Sequence, residues 1–171
     1  AHTGHVHGQP LRILEAVDAV NKDQKAVLLR KVKARFGDDL SGRTFAVWGL
    51  AFKPRTDDMR EAPSLVLIEG LRAAGATVKA HDPEAMANAE RELGTDGVAY
   101  LDDHYAALDG ADALCICTEW SLFRRPDFAQ IKQRLRQPVI FDGRNLYDPE
   151  RTASRGFEYY AVGRGKRLAG G

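Results

Sequence analysis

From Ser41 onward, short apolar runs alternate with helical segments, and that alternation constrains the fold more than any other feature. Strands are expected at 44–50, 76–81, 97–101, 111–117, 138–142 and 158–162, and helices at 63–74, 83–93, 103–109 and 127–136. Several of the runs are apolar without a break, such as Ala113-Leu114-Cys115-Ile116-Cys117, as parallel strands covered on both faces require. Alternating strands and helices with right-handed crossovers build a doubly wound parallel sheet of the α/β class, Rossmann-like in outline. Ahead of it, Pro10 to Phe36 reads as one long helix: Pro10 suits its first turn, and Leu14, Val17, Val20, Val27, Leu28 and Val32 recur at helical spacing. Gly37 then fits the carboxyl cap, as Gly75 does for the helix at 63–74. A helix of that length exceeds the ordinary globular range and suggests a connector or a dimer element.

One stretch carries chemistry. Phe45-Ala46-Val47-Trp48-Gly49-Leu50 is a strand running into a glycine turn; Ala51-Phe52-Lys53-Pro54-Arg55-Thr56-Asp57-Asp58-Met59-Arg60-Glu61-Ala62 is a charged loop; Pro63-Ser64 opens a helix. That order puts Lys53 and Arg60 at the carboxyl end of a strand and before the amino end of a helix. Open α/β sheets bind ligands at that edge, and helix amino ends favour anions. A phosphate-bearing ligand is therefore expected. Lys53, held between Phe52 and Pro54, could donate to a diphosphate, although composition alone would make it a solvated surface lysine, and the Arg60 guanidinium can take phosphate oxygens in pairs. Asp57, Asp58 and Glu61 crowd the same loop, so an internal ion-pair network is the competing reading for Arg60. Arg144, at the turn Asp142-Gly143-Arg144, projects at the same sheet edge, where composition alone would make it a turn arginine.

Other features exclude functions. The 25 basic and 24 acidic residues leave a net charge of +1, which argues against nucleic acid as a partner. No apolar run is long enough to span a membrane and the start is not a signal peptide, so no membrane association is expected. Cys115 and Cys117 fall on one strand, which fits a reducing, cytoplasmic location and buried thiols rather than a disulfide. His2, His5 and His7 are spaced so that they could catch a metal, but incidental imidazoles on a terminus explain them better, and no metal is expected. His81-Asp82-Pro83 ends a strand where a dinucleotide fold would set an acid on ribose. No GxGxxG precedes it, so this chain is not expected to bind NAD by itself.

The run Gly-Leu-Ala-Phe-Lys-Pro-x-Thr-Asp-Asp-Met-Arg-Glu-Ala-Pro-Ser at 49–64 resembles the hallmark of the UDP-binding carboxyl-terminal domain in the UDP-glucose/GDP-mannose dehydrogenase family. Phe141-Asp142-Gly143-Arg144-Asn145 and Cys117-Thr118-Glu119-Trp120 match further family segments in the expected order. The resemblance covers roughly 10–164. It implies that residues 1–40 end a central helical, dimerising region, that 41–164 form the UDP-sugar-binding domain, and that 165–171 are a flexible tail. It further implies substrate contacts from Phe52, Lys53 and Arg144, and a contact from Arg60 to NAD shared with an upstream domain. The whole enzyme would be a homodimer that oxidises UDP-glucose, or a related UDP-sugar, with two NAD to UDP-glucuronate. The family's nucleophile segment, Gly-x-x-Cys-Phe-Pro-Lys-Asp, is absent from this sequence, so no catalytic residue is expected here and the chain should not turn over alone. Competing readings are a UDP-N-acetyl-hexosamine or GDP-mannose dehydrogenase, and a non-enzymatic assembly module.

Overall fold

The computed structural model describes residues 12–164. The three histidines near the amino terminus, Pro10 and the tail at 165–171 lie outside the described residues. Helix α1 (Arg12–Phe36) leads into β1 (Thr44–Trp48), α2 (Pro63–Ala73), β2 (Thr77–His81), α3 (Met86–Leu93) and β3 (Val98–Tyr100). Then come β4 (Ala113–Ile116), α4 (Phe128–Arg134), β5 (Val139–Asp142), α5 (Pro149–Ser154) and β6 (Glu158–Ala161). The six strands form one sheet in the order β3-β2-β1-β4-β5-β6, and every pairing is parallel. The doubly wound sheet behind a long helix is thus realised. Its order reverses between β1 and β4, which places the topological switch point at their carboxyl ends.

Period-two alternation divides the core between the two sheet faces. Phe45 and Val47 of β1 join Leu28 and Val32 of α1, Leu67, Ile68 and Leu71 of α2, and Phe141 of β5. Ala46 and Trp48 point the other way, toward Leu114, Ile116, Ile131 and Tyr159. Burial on both faces is why β1, β4 and β5 read as continuous apolar runs. Gly37 and Gly75 end α1 and α2 with φ of 93° and 92°, as carboxyl-capping glycines do. No helix among the described residues is long and apolar enough to cross a membrane.

Two helices differ from expectation and one was not expected, each for a reason visible in its hydrogen bonds. The helix expected at 103–109 is only a 3-10 turn at Ala106–Leu108. The His104 carbonyl, which an α-helix would use for Leu108 N–H, accepts instead from Trp48 Nε1 at 2.7 Å, while Leu108 N–H bonds Tyr105 O. Helix α3 begins at Met86 rather than at 83, because Asp82 Oδ1 accepts from Glu84 N and Ala85 N and holds that segment in a turn. Helix α5 was not foreseen. It is short, and its signal is confined to Asp148, whose side chain accepts from Arg151 N, and Pro149 in the first turn.

Candidate functional site

The loops at the switch point pack directly on each other. Gly49, with φ of 88°, sits so close to Thr118 that a Cβ on it would come within 2.5 Å of Thr118 Cβ. Thr118 Oγ1 donates to Ala51 O at 2.6 Å, and Ser64 Oγ donates to Leu50 O at 2.5 Å. Asp82, fully buried, finishes this closure. Its Oδ2 accepts from Leu50 N, Ala51 N and Trp120 Nε1 at 2.7, 3.1 and 3.0 Å. With Oδ1 held by Glu84 N and Ala85 N, the carboxylate takes donors from the segments after β1, β2 and β4. The position that holds ribose in a dinucleotide fold is therefore a structural bolt. Trp120 belongs to the same bolt: it is buried and packs the edge.

Beside this closed crevice lies a cavity of about 670 Å³, within the size range of small-ligand sites. Its walls include Phe52 and Glu61 from the loop after β1, Cys117 after β4, Gly143 and Arg144 after β5, and Lys25 of α1. Phe52 is 44% exposed, a large apolar surface open at the sheet edge. Arg144 is set by the turn it belongs to: buried Asp142 accepts from Arg144 N at 2.8 Å and from Leu146 N, Tyr147 N and Tyr159 OH. Asp142 thus braces the loop. At Gly143 an added Cβ would meet Ile116 O at 2.9 Å, so the turn can approach β4 only as glycine.

The Arg144 guanidinium ties three loops together. Nε donates to Cys117 O at 2.9 Å and Nη2 to Phe52 O at 3.0 Å. Glu119 Oε2 lies 3.0 Å from Nε, yet it is buried without a hydrogen bond, because that N–H points at the Cys117 carbonyl. Two of the five N–H groups are engaged, and the others, including both on Nη1, have no partner among the described residues. Arg144 itself is part of the cavity wall. The Cys117 thiol offers no nucleophile: burial, ahead of every other influence, pushes it up to about 12 from its ordinary 9.0. Burial likewise raises Cys115 well above that value.

The loop from 51 to 62 carries the other expected residues. Phe52 N bonds Asp58 O at 2.9 Å, and Arg55 and Glu61 take φ of 64° and 63°, the left-handed region seldom used by such side chains. Lys53 is exposed next to Phe52 but does not form the cavity wall. It makes no hydrogen bond or ion pair among the described residues, although Asp58 feels its charge. Arg60 lies apart, on a second hollow of about 620 Å³ with Asp58, Asn88 and Arg91. Its side chain, 89% exposed, bonds Asp58 through Nε and Nη2 at 3.0 and 2.8 Å. Those bonds, with the Arg60 backbone N–H, lower the Asp58 carboxyl to about 2. The structure thus joins Phe52 and Arg144 on one cavity, leaves Lys53 exposed and outside its lining, and puts Arg60 on the second hollow. The internal ion pair weighed for Arg60 is present.

Sequence reasoning missed the wall made by α1: Asn21, Gln24 and Lys25. The signal was there in the helix period. Positions 21, 24, 25, 28 and 32 share one stripe, and Leu28 and Val32 on it are buried while its amino-terminal part is polar. A core-facing stripe that turns polar marks a place where something other than core is faced.

Comparison with known proteins follows the same lines. Residues 46–149 match the model of the UDP-glucose/GDP-mannose dehydrogenase family, UDP binding domain. A UDP-glucose 6-dehydrogenase of Pseudomonas aeruginosa is 50% identical over 161 residues, 92% of this chain and 36% of that protein. The structure of a UDP-glucose dehydrogenase from Pyrobaculum islandicum superposes with a TM-score of 0.76 at 32% identity, covering 93% of this chain and 34% of the other. That of an NDP-N-acetyl-D-galactosaminuronic acid dehydrogenase from Methanosarcina mazei gives 0.66 at 29% identity, covering 82% and 29%. The chain spans about a third of the length of such relatives.

Proposed function

We propose a function from one premise: this chain belongs to the UDP-glucose/GDP-mannose dehydrogenase family and is its UDP-binding domain. On our reading it is the nucleotide-sugar handle of a UDP-glucose 6-dehydrogenase, the whole enzyme converting UDP-glucose and two NAD to UDP-glucuronate. The observation that carries this is the cavity that joins the Phe52 ring to a guanidinium with unengaged donors. An aromatic face suits a nucleobase or sugar, and a planar fork of N–H groups suits a phosphate. Lys53, exposed next to Phe52, adds a mobile cation for the same diphosphate. Binding there anchors the unreactive end of the substrate, and that energy positions the reacting end.

The residues present do not make a dinucleotide site of their own. Asp82 is saturated by internal donors and the turn after β1 holds only Gly49. Arg60 is the residue we assign to NAD, as an exposed cation reaching the pyrophosphate of a cofactor held mainly by another part of the enzyme. It would give up its bonds to Asp58 to do so. We assign the exposed Val17 and Val20 of α1 to contact within a homodimer, and the enzyme to the cytoplasm.

Isothermal titration of UDP into the 171-residue chain tests the reading, with GDP as control. UDP should bind with a Kd in the micromolar-to-millimolar range, GDP more weakly, and Arg144→Ala and Lys53→Ala should each lose affinity, the first more. Preference for GDP would transfer the domain to a GDP-sugar enzyme. A folded chain that binds neither nucleotide would favour an assembly role. The N-acetyl-hexosaminuronic relative keeps a second sugar open, and turnover of UDP-glucose against UDP-N-acetyl-hexosamines by the full-length enzyme decides between them.

A further inference from the structure

We infer that Lys25 of α1 is a second diphosphate-binding cation of this cavity, kept in place by Glu61 until the nucleotide arrives. The inference rests on the nucleotide-handle reading above and deepens it. Among the described residues lining the cavity, Lys25 and Arg144 are the two bases and Glu61 the one acid. Each base already faces a carboxylate: Lys25 Nζ pairs with Glu61 Oε2, and Arg144 with Glu119. A nucleotide-sugar diphosphate carries a negative charge on each phosphate, and of the two cations assigned to it above Arg144 lines the cavity while Lys53 does not. Lys25, on α1, supplies a second cation within the cavity lining.

The surroundings suit that role. The Lys25 side chain is 19% exposed, so its stem is packed while its ammonium reaches the cavity. It sits on the α1 stripe that continues into buried Leu28 and Val32, which fixes the helix against the sheet. The Glu61 side chain is 78% exposed, so its pair with Lys25 is screened by water and competes weakly once a phosphate enters. Glu61 also takes the left-handed backbone conformation at the end of the loop that carries Phe52. The exchange of Lys25 from Glu61 to phosphate would therefore couple α1 to the loop. The rival explanation is that Lys25 only tethers that loop through Glu61.

Titration of UDP and of uridine into wild type, Lys25→Met, Lys25→Arg and Glu61→Gln separates these. Met keeps the packed stem and deletes the charge. UDP affinity should fall roughly tenfold to a hundredfold in Lys25→Met, the range of one charge-assisted contact. Uridine, which has no phosphate, should change less than about twofold by the same argument, and Lys25→Arg should restore most UDP affinity. Glu61→Gln should bind UDP as tightly as wild type or more so, since it releases the cation. Equal losses in Lys25→Met and Glu61→Gln would overturn the assignment in favour of a tether. So would a loss shared by UDP and uridine, or a Lys25→Met variant indistinguishable from wild type. Failure of wild type to bind UDP at all would instead sink the nucleotide-handle reading and this inference with it.

Discussion

Asp82 and Arg144 each follow a strand of the same sheet at the same edge, and both look from sequence like ligand residues. Asp82 is buried, and both its oxygens are filled by donors from three segments of its own chain. Arg144 spends two N–H groups on Phe52 O and Cys117 O, lines a cavity, and keeps further N–H groups without a hydrogen-bond partner among the described residues. The first is complete without a ligand and the second is not. A charged residue at the sheet edge is thus a candidate for binding in proportion to the hydrogen-bonding capacity its own chain leaves unused.

The largest effect should come from Asp82→Ala. It strands the buried backbone N–H groups of Leu50, Ala51 and Ala85 and the Trp120 indole N–H, as well as the partly buried N–H of Glu84, and should cost about 4 kcal/mol in urea denaturation. UDP binding should fail with the fold. If Asp82→Ala unfolds at the wild-type midpoint yet loses nucleotide binding, the contrast is wrong and Asp82 is a ligand residue. Arg144→Met should do the reverse. Losing two hydrogen bonds to carbonyls should cost about 1–2 kcal/mol, while UDP affinity falls by at least about tenfold. Comparable losses of stability and no change in affinity would make Arg144 a second bolt.

The smallest effects should be at Arg60, which sharpens the contrast from outside either site. Arg60→Ala should leave stability near neutral pH close to that of wild type, because the pair it breaks is exposed, and UDP affinity unchanged. In the full-length enzyme it should raise the KM for NAD and leave that for UDP-glucose alone. The pair leaves a pH signature. The folded carboxyl of Asp58 lies at about 2, below its ordinary 3.8, so its contribution is complete above pH 3.8 and disappears as pH falls toward 2. Arg60→Ala should flatten that acid limb of the stability curve, and an unchanged limb would remove Arg60 as its cause.

Much of this was legible from residue order alone. Strand periodicity, uninterrupted apolar runs and capping glycines specify the sheet, because each is a local property of the backbone or of two-faced burial. The segments 49–64 and 141–145 pointed to the sheet edge because strand ends and glycine turns place them there. The 3-10 turn at Ala106–Leu108 was not legible, since what shortens it is a hydrogen bond from Trp48, far away in sequence. Nor was the Lys25–Glu61 pair, whose members are 36 positions apart.

The sequence by itself determined the parallel α/β sheet, the position of its ligand edge and the kind of charge placed there. Only the tertiary structure decided which charges are spent. Asp82 is saturated because loops after β1 and β4 bring their donors to it, and Arg144 retains donors because, among the described residues, two of its N–H groups find a carbonyl. Lys25 faces the same cavity because α1 packs across the sheet through Leu28 and Val32. Saturation is a matter of distance and direction between residues remote in sequence, and only the folded chain sets these.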